Sequence, residues 1–400
     1  MTLDSAVVLA AGEGRRLRPL TRNRPKPMLP ATTRPVLEYV LDALVTADVE
    51  RIHLVVGYKR DRVREHFGSS YRGVPLSYVV QDDRLGSGDA LLSARGAVEP
   101  PFLAVNGDQI LDPAMVADVC EAFERGRERP TVALAAVERD DLAQYGAVVL
   151  SDDRVTELVE NPGTDAYRLL NAGVYAFDDG VFEAIESTPR DAGDLALTDT
   201  LRRLVASETT VRGVRTDGVW LDASRPWHLL DLAHELLVRG RVDEPERDDR
   251  VWVADEATVH ESATLRPPVV VGPHSEVRAG AVVGPFATLG VDATVGANAV
   301  VERSVLDAGT RVGANATLLD CVTGQDVRLG AGTTVPGGPG DVRVDEVVHE
   351  DQRLGALLAD HVRAGGNASF VPGTLVGPGT TIDAGASVAG TVAEQATLVR

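Results

Sequence analysis

From residue 3 to about 235, short apolar runs alternate with segments whose apolar positions recur at helical spacing: AVVLAAG, PVLEYVLDALVTA, IHLVVGY, DRVREHF and FLAVNGD follow one another. Apolar runs bounded by glycine predict strands, and recurrence at three and four residues predicts helices. Their alternation predicts an α/β, Rossmann-like layer on a mainly parallel mixed sheet. Ligands of open α/β sheets sit beyond the carboxyl ends of the strands, so the loops after AVVLA and FLAVN are the places to look for chemistry. Past the helical HLLDLAHELLVRG, the segment RVDEPERDDR is almost wholly charged and reads as a linker. The expected organisation is one domain over 1–238, a linker over 239–250 and a second domain over 251–400.

The second domain has a different rhythm. Val253, Val259, Leu265, Val271, Val277, Val283, Leu289, Val295 and Val301 stand in strict steps of six. Four places after most anchors comes a small residue, among them Ala257, Ala263, Ser275, Ala281, Ala287, Ala293 and Ala299. The frame slips by one, resumes at Leu306, Val312 and Leu318, and returns at Leu358, Ala364, Phe370, Val376, Ile382 and Val388. Such a hexapeptide repeat predicts a left-handed parallel β-helix, three sextets to a triangular coil, with large and small residues both pointing inward. A β-sandwich would show longer and more variable spacings. Residues 336–357, with PGGPG and then DVRVDEVVHEDQRLG, break the rhythm and should leave the prism.

Composition narrows the partners. Sixty acids against forty bases leave a net charge of −20, which speaks against nucleic acid or an anionic membrane as the main partner. Cys120 and Cys321 are too few for a disulfide framework or a cysteine metal cluster. No apolar run reaches a membrane span and no signal pattern opens the chain, so a reducing cytoplasm is the expected compartment. Only Lys26 and Lys59 are lysines; the other bases are arginines. A GC-rich genome or a halophilic cell would produce that bias, and the abundance of Asp favours the second.

The first predicted strand ends in LAAGEGRRLRPLTRNRPKPMLP, a glycine turn followed by Arg15, Arg16, Arg18, Arg22, Arg24, Lys26 and, further on, Arg34. No Gly-Lys-Ser/Thr makes it a P-loop, and Leu17 stands where a dinucleotide fingerprint wants a third glycine. A glycine turn after a strand still lets backbone N–H groups approach phosphate oxygens. In so acidic a chain this concentration of cations calls for a polyanion such as a nucleoside triphosphate. Prolines on both sides of Lys26 fix its backbone, an unusual setting for a surface lysine.

These residues resemble the signature of the sugar-1-phosphate nucleotidylyltransferases, LAAG-x-G-x-R-L-x-PLT followed by P-K-P, here Leu9–Thr21 and Pro25–Pro27. The resemblance implies nucleotide contacts at Leu9, Ala10, Ala11, Gly12 and Gly14, and catalytic roles for Arg16 and Lys26. Gln81, Gly86, Ser87 and Gly88 are similar to the pyrimidine-reading loop of UTP- and dTTP-using members, with Ser87 in place of the usual Thr. Gly146, Glu160 and Asn171 fall in segments similar to those that bind the hexose. Asp108, in Asn106-Gly107-Asp108, and Asp222, in Trp220-Leu-Asp222, match the family's metal carboxylates and imply Mg²⁺. Asn161 stands where many thymidylyltransferase-like relatives carry a lysine for the sugar phosphate, a departure that leans toward UTP and leaves the task to Arg168, Lys26 or another arginine. The implied partners are UTP or dTTP and a hexose 1-phosphate, glucose 1-phosphate or N-acetylglucosamine 1-phosphate.

The β-helix extends the resemblance to the bifunctional UDP-N-acetylglucosamine pyrophosphorylase/acetyltransferases and their archaeal relatives. Acetyl-CoA would then be a second substrate. Gly330-Ala331-Gly332-Thr333 matches those relatives, but Ala314 and Thr317 stand where a His-x-x-Tyr pair would fall. The alternative is that the prism assembles a homo-oligomer, a trimer or its multiple, or holds a regulatory site. A catalytically silent regulatory subunit is a third reading; such chains usually lose the signature Arg, Lys or Asp, and Arg16, Lys26, Asp108 and Asp222 are all present.

Overall fold

The computed structural model describes residues 3–83, 85–125, 130–139, 145–160, 162–163, 167–207 and 209–399. The chain forms two compact units. One comprises Met1–Glu13, Pro25–Met28 and Val36–Leu221; the other comprises Gly14–Arg24, Leu29–Pro35 and Asp222–Arg400. This division departs from the bounds expected from the sequence, because two segments of the signature region and the helix His228–Val238 group with the β-helix.

In the first unit, alternation along the strand Ser5–Leu9 sends Ala6 and Val8 to one core and Val7 to another. Helices Val36–Thr46 and Pro113–Glu124 cover the first face, and Ser87–Ser93, Gly180–Glu186 and Leu197–Ala206 cover the second. Among the described residues the sheet has ten strands. Ser5–Leu9 runs parallel to Arg51–Val56 on one side and to Phe102–Asn106 on the other, while Leu169–Phe177 enters antiparallel beside Phe102–Asn106. The mixed sheet therefore puts the ends of Ser5–Leu9 and Phe102–Asn106 side by side, with Leu9 opposite Asn106. Helix Pro113–Glu124 shows why local sequence cooperates: Asp112 accepts from the Ala114 N–H at 3.3 Å, and proline occupies the first turn where no donor is needed.

The second unit contains the prism. Three sheets of parallel strands form its faces, and the anchors pair one coil apart: Val271 with Leu289, Val277 with Val295, Val283 with Val301. All six are buried, as are Ala281, Ala287, Ala293 and Ala299 at the small positions. The frame slip is a coil one residue shorter, in which Leu289 pairs with Leu306. The break in rhythm is an antiparallel hairpin, Gly340–Val344 with Val347–Gln352, after which Ala356–Leu358 resumes pairing with Cys321–Thr323. The third residue after many anchors has positive φ, and apart from Phe286 after Val283 the chain mostly places Gly, Asn, Asp or His there: His274, Gly280, Asp292, Asn298, Gly309, Asn315, Gly332, His361 and Asn367. Two of the prism histidines are thus turn residues.

Part of the segment 239–250, expected to be a linker, is extended backbone in a sheet. Glu246–Asp248 is a strand paired antiparallel with Val251–Val253, its side chains exposed, so a charged stretch that reads as solvated chain forms the edge of a β-sheet. Nearby, Leu237 of helix His228–Val238 packs with Trp252 and Val270, and His234 stacks on Phe286 with centroids 4.1 Å apart.

Two outcomes follow from this packing. Leu289→Ala, which empties a fully buried inward position, should cost about 2–5 kcal/mol and lower the denaturation midpoint. Burial pushes the Cys120 thiol up to about 11 and the Cys321 thiol up to about 12. At pH 8 the thiolate fraction is then on the order of 10⁻³ or less, and a disulfide reagent should react with both thiols far more slowly in the native chain than in the unfolded one, slowest at the fully buried Cys321. Rapid modification of the native protein would contradict the packing.

Candidate active site

The first strand leads into the glycine turn. Leu9 ends it, Ala10 and Ala11 are buried and Gly12 is exposed. The Ala10 N–H donates to Val55 O at 2.9 Å, and the Gly107 N–H donates to Leu9 O at 2.9 Å. A Cβ on Gly107 would stand 3.0 Å from Val8 Cγ1 and 3.1 Å from both Ala10 Cβ and Leu9 O. Glycine is required there for the chain Asn106-Gly107-Asp108 to lie against the start of the turn.

That approach delivers Asp108 to Lys26. Lys26 opens the short 3₁₀ turn Lys26–Met28, held by the Met28 N–H on Pro25 O at 3.0 Å. Its Nζ lies 2.8 Å from Asp108 Oδ2; the lysine side chain is 12% exposed and the carboxylate 38%. A mostly covered ammonium beside an accessible carboxylate that follows a strand end is a place where phosphate oxygens and a hard cation can be held together.

Described residues of the loop expected to read a base are hydrogen-bonded to the scaffold. Gln81 is buried, its amide nitrogen donating to Gly86 O at 3.1 Å and to Asp89 Oδ2 at 3.0 Å. Asp89 in turn pairs with Arg190 at 2.7 Å. Gly86 has φ of 97°, and a Cβ there would collide with Leu195 O at 2.4 Å. The Gly88 N–H donates to Leu195 O at 2.8 Å, and Ser87 Oγ accepts from the Leu197 N–H at 2.9 Å. Ser87 therefore spends an acceptor site on the scaffold and keeps its proton to donate.

The sugar-side residues are partly committed as well. Asn171 sits at a bulge, its Oδ1 accepting from the Gly173 N–H at 3.3 Å and its Nδ2 donating to Tyr175 Oη at 2.9 Å. Gly146 lies close by, since a Cβ on it would be 3.7 Å from Asn171 Cβ. Glu160 accepts from Thr198 Oγ1. Behind them, Gln109 Nε2 and Trp220 Nε1 both donate to Ala172 O, and Tyr145 meets Trp220 edge-on with centroids 5.4 Å apart. Asn161 lies outside the described residues.

Three of the sequence-predicted site residues belong to the other compact unit. Gly14 has φ of 65° and starts the 3₁₀ turn Arg15–Leu17, which leaves Arg16 exposed; Thr21 Oγ1 donates back to Gly14 O at 2.9 Å. Asp222 ends the strand Trp220–Asp222, where the chain passes from one unit to the other. Two cations of the signature region meet acids of their own compact unit. Arg24 is buried in ion pairs with Asp307 and Asp360, and Arg34 pairs with Asp243 at 3.0 Å. Positive charge in a sequence does not reveal which acids it meets after folding. The signal missed for the base loop was Asp89, already within its motif; nothing local pointed to Arg190 or Thr198.

A fit for Mg²⁺ can be judged from the donors. Among the described residues no group of three or more His, Cys, Asp or Glu could hold a metal ion. Single carboxylates such as Asp108 and Asp222 suit a cation that takes most of its ligands from phosphate and water, as Mg²⁺ does.

Comparison with known proteins adds the family. Family models match twice: nucleotidyl transferase over residues 5–238, and the GMPPB C-terminal domain over residues 265–392. A bifunctional protein GlmU from Methanocaldococcus jannaschii is 34% identical over 266 residues, 64% of this chain and 60% of that protein, so the chain spans about three fifths of that relative. The UTP–glucose-1-phosphate uridylyltransferase AglF of Haloferax volcanii is 34% identical over 223 residues, 55% of this chain and 91% of that one. Of solved structures, a UDP-glucose pyrophosphorylase complexed with UDP-glucose is 21% identical with a TM-score of 0.53, covering 60% of this chain and all of that one, a likeness of fold. With the glycine turn, the Lys26–Asp108 pair and the matched span 5–238 in agreement, this chain belongs to the nucleotidyl transferase family.

Proposed function

We propose that the chain transfers a nucleoside monophosphate unit from UTP, or from dTTP, to a hexose 1-phosphate, glucose 1-phosphate or N-acetylglucosamine 1-phosphate, in a Mg²⁺-dependent reaction. The observation that carries the reading is the 2.8 Å approach of Lys26 to Asp108 beside the glycine turn. An oxygen of the sugar phosphate attacks the α-phosphorus, the bond from that phosphorus to the oxygen bridging toward the β-phosphate breaks, and pyrophosphate leaves with the electron pair. Two anions must approach each other, so positioning and neutralisation do most of the work.

Lys26 exchanges its carboxylate partner for the α-phosphate and the incoming sugar phosphate, acting as a compact charge. Arg16 holds the departing phosphates with its planar fork. Asp108 and Asp222 would hold Mg²⁺, which when bound neutralises charge on the phosphates. Gln81 and the Ser87 hydroxyl offer an acceptor and a donor to a pyrimidine edge, and Glu160 accepts from sugar hydroxyls. UTP is favoured by the name of the Haloferax relative and by the absence of lysine at Asn161. The retained Lys26–Asp108 pair also argues against a silent subunit.

The test crosses UTP and dTTP with the two sugar phosphates and follows pyrophosphate. Release should need Mg²⁺ and stop with EDTA. Lys26→Ala and Asp108→Asn should each lower kcat/KM by roughly 10²–10³-fold, the range seen when one charge-stabilising group is removed. Undiminished turnover in either variant would remove the basis of the assignment. Incubation with acetyl-CoA and glucosamine 1-phosphate in the same panel separates this reading from acetyl transfer on the prism.

A further inference from the structure

The signature loop contains a residue that no phosphate can reach. Arg24 lies two positions before Lys26, and its side chain is 5% exposed. Its Nη1 lies 2.5 Å from Asp307 Oδ2 and its Nη2 lies 2.9 Å from Asp360 Oδ1. Both acids stand on the prism, just after the strands Val305–Leu306 and Ala356–Leu358 of one face. The prism backbone fixes each of them: Asp307 Oδ1 accepts from the Ala308 N–H at 2.7 Å, and Asp360 Oδ1 accepts from the Gln325 N–H at 2.9 Å. The Asp307 backbone N–H also donates to Thr323 Oγ1 at 3.0 Å. A planar fork spanning two carboxylates on separate coils fixes orientation as well as position, which a flexible ammonium would not do.

Burial opposes charge on the Arg24 guanidinium, but the two carboxylates more than offset it and hold its pKa above the ordinary value. Burial raises the Asp307 carboxyl, with Arg24 opposing and Asp360 adding to the rise. The loop has a small apolar footing besides this anchor. Leu17, Leu20 and Thr21 are buried, while Arg15, Arg16 and Arg22 are exposed.

We infer that Arg24 is a positioning residue for nucleotidyl transfer: through Asp307 and Asp360, which belong to the same compact unit, it fixes the loop 14–24 and with it Arg16. The inference rests on the function proposed above. It assigns to the prism a task that needs neither acetyl transfer nor a regulatory ligand. Substrate effects should be unequal, since Glu160, Asn171 and Gly146 belong to the other compact unit and are not held through Arg24.

The 400-residue chain is tested as Asp307→Asn/Asp360→Asn, which keeps shape while removing the partners' charge, and as Arg24→Lys and Arg24→Met. Steady-state pyrophosphate release should show KM for UTP raised at least tenfold and kcat lowered, with KM for glucose 1-phosphate changed less than twofold. Adding Arg24→Met to the double Asn variant should bring little further loss, because the three groups act together. Trypsin supplies a readout independent of substrate: cleavage at Arg15–Arg22 should accelerate tenfold or more in the double Asn variant while its thermal transition stays cooperative. Unchanged KM for UTP in an active protein, or equal rises in both KM values with cleavage throughout the chain, overturns the inference. A wild-type protein that releases no pyrophosphate overturns the proposed function instead, and unaccelerated cleavage at Arg15–Arg22 would then overturn the anchoring on its own.

Discussion

A single guanidinium facing two carboxylates out of reach of water is the constraint on which the arrangement of this protein depends. Removing one partner of a buried ion pair typically costs about 3–5 kcal/mol, because the remaining charge is left without solvent or counterion. Arg24 has two such partners, 283 and 336 residues further along the chain, so the cost of losing it falls on the loop and on the prism together. In the function proposed above, Arg16 serves phosphate only if the loop that carries it holds one conformation. A loop of short 3₁₀ turns with exposed arginines has little apolar area with which to achieve that. What else holds the loop within its unit is the pairing of Arg24 with two acids of the β-helix.

The prism is well suited to that task. Each coil bonds only to its neighbours, and the repeated aliphatic and small residues fill most of the interior, where buried hydroxyls such as those of Ser275, Thr310 and Thr323 are hydrogen-bonded. Side chains at the coil corners are therefore placed by a stack of nearly identical turns. Asp307 and Asp360 stand one coil apart from their shared neighbour, the strand Cys321–Thr323, and the hairpin excursion between them leaves the register of that face intact. The hairpin also returns to the segment that follows Asp222. His349 lies 2.6 Å from Arg225 Nη1 and packs on Trp227, three and five residues after Asp222. Burial and the neighbouring Arg225 lower the His349 pKa, which keeps the imidazole neutral and able to accept from the guanidinium.

Much of this was legible before folding. Steps of six identified the prism because a solenoid repeats its chemistry at a fixed interval, and the alternation of apolar periods identified the layered sheet. The Lys26–Asp108 meeting followed from motifs that trail adjacent strands. What escaped the sequence were partners chosen by tertiary structure. Arg24 looked like one more ligand cation because its acids lie in the other half of the chain. The bonds of Asn171 to Gly173 and Tyr175 were hidden because the bulge they belong to is a property of the paired strand. The segment 239–250 looked like solvated linker because an edge strand with exposed charges has the same composition. One signal was available and unread: the third residue after the anchors is repeatedly Gly, Asn, Asp or His, the types that accept positive φ, which explains His274 and His361 without any reaction.

The scarcity of lysine gives the Lys26–Asp108 pair a practical side. Amine-selective reagents meet two lysine side chains here, one at Lys59, at the start of helix Arg60–Phe67, and the other at Lys26, mostly covered and ion-paired. In an ordinary protein many surface amines would blur such labelling. In this one the extent of acylation at a single covered nitrogen becomes a direct gauge of whether its carboxylate neighbour, or an incoming phosphate, occupies it.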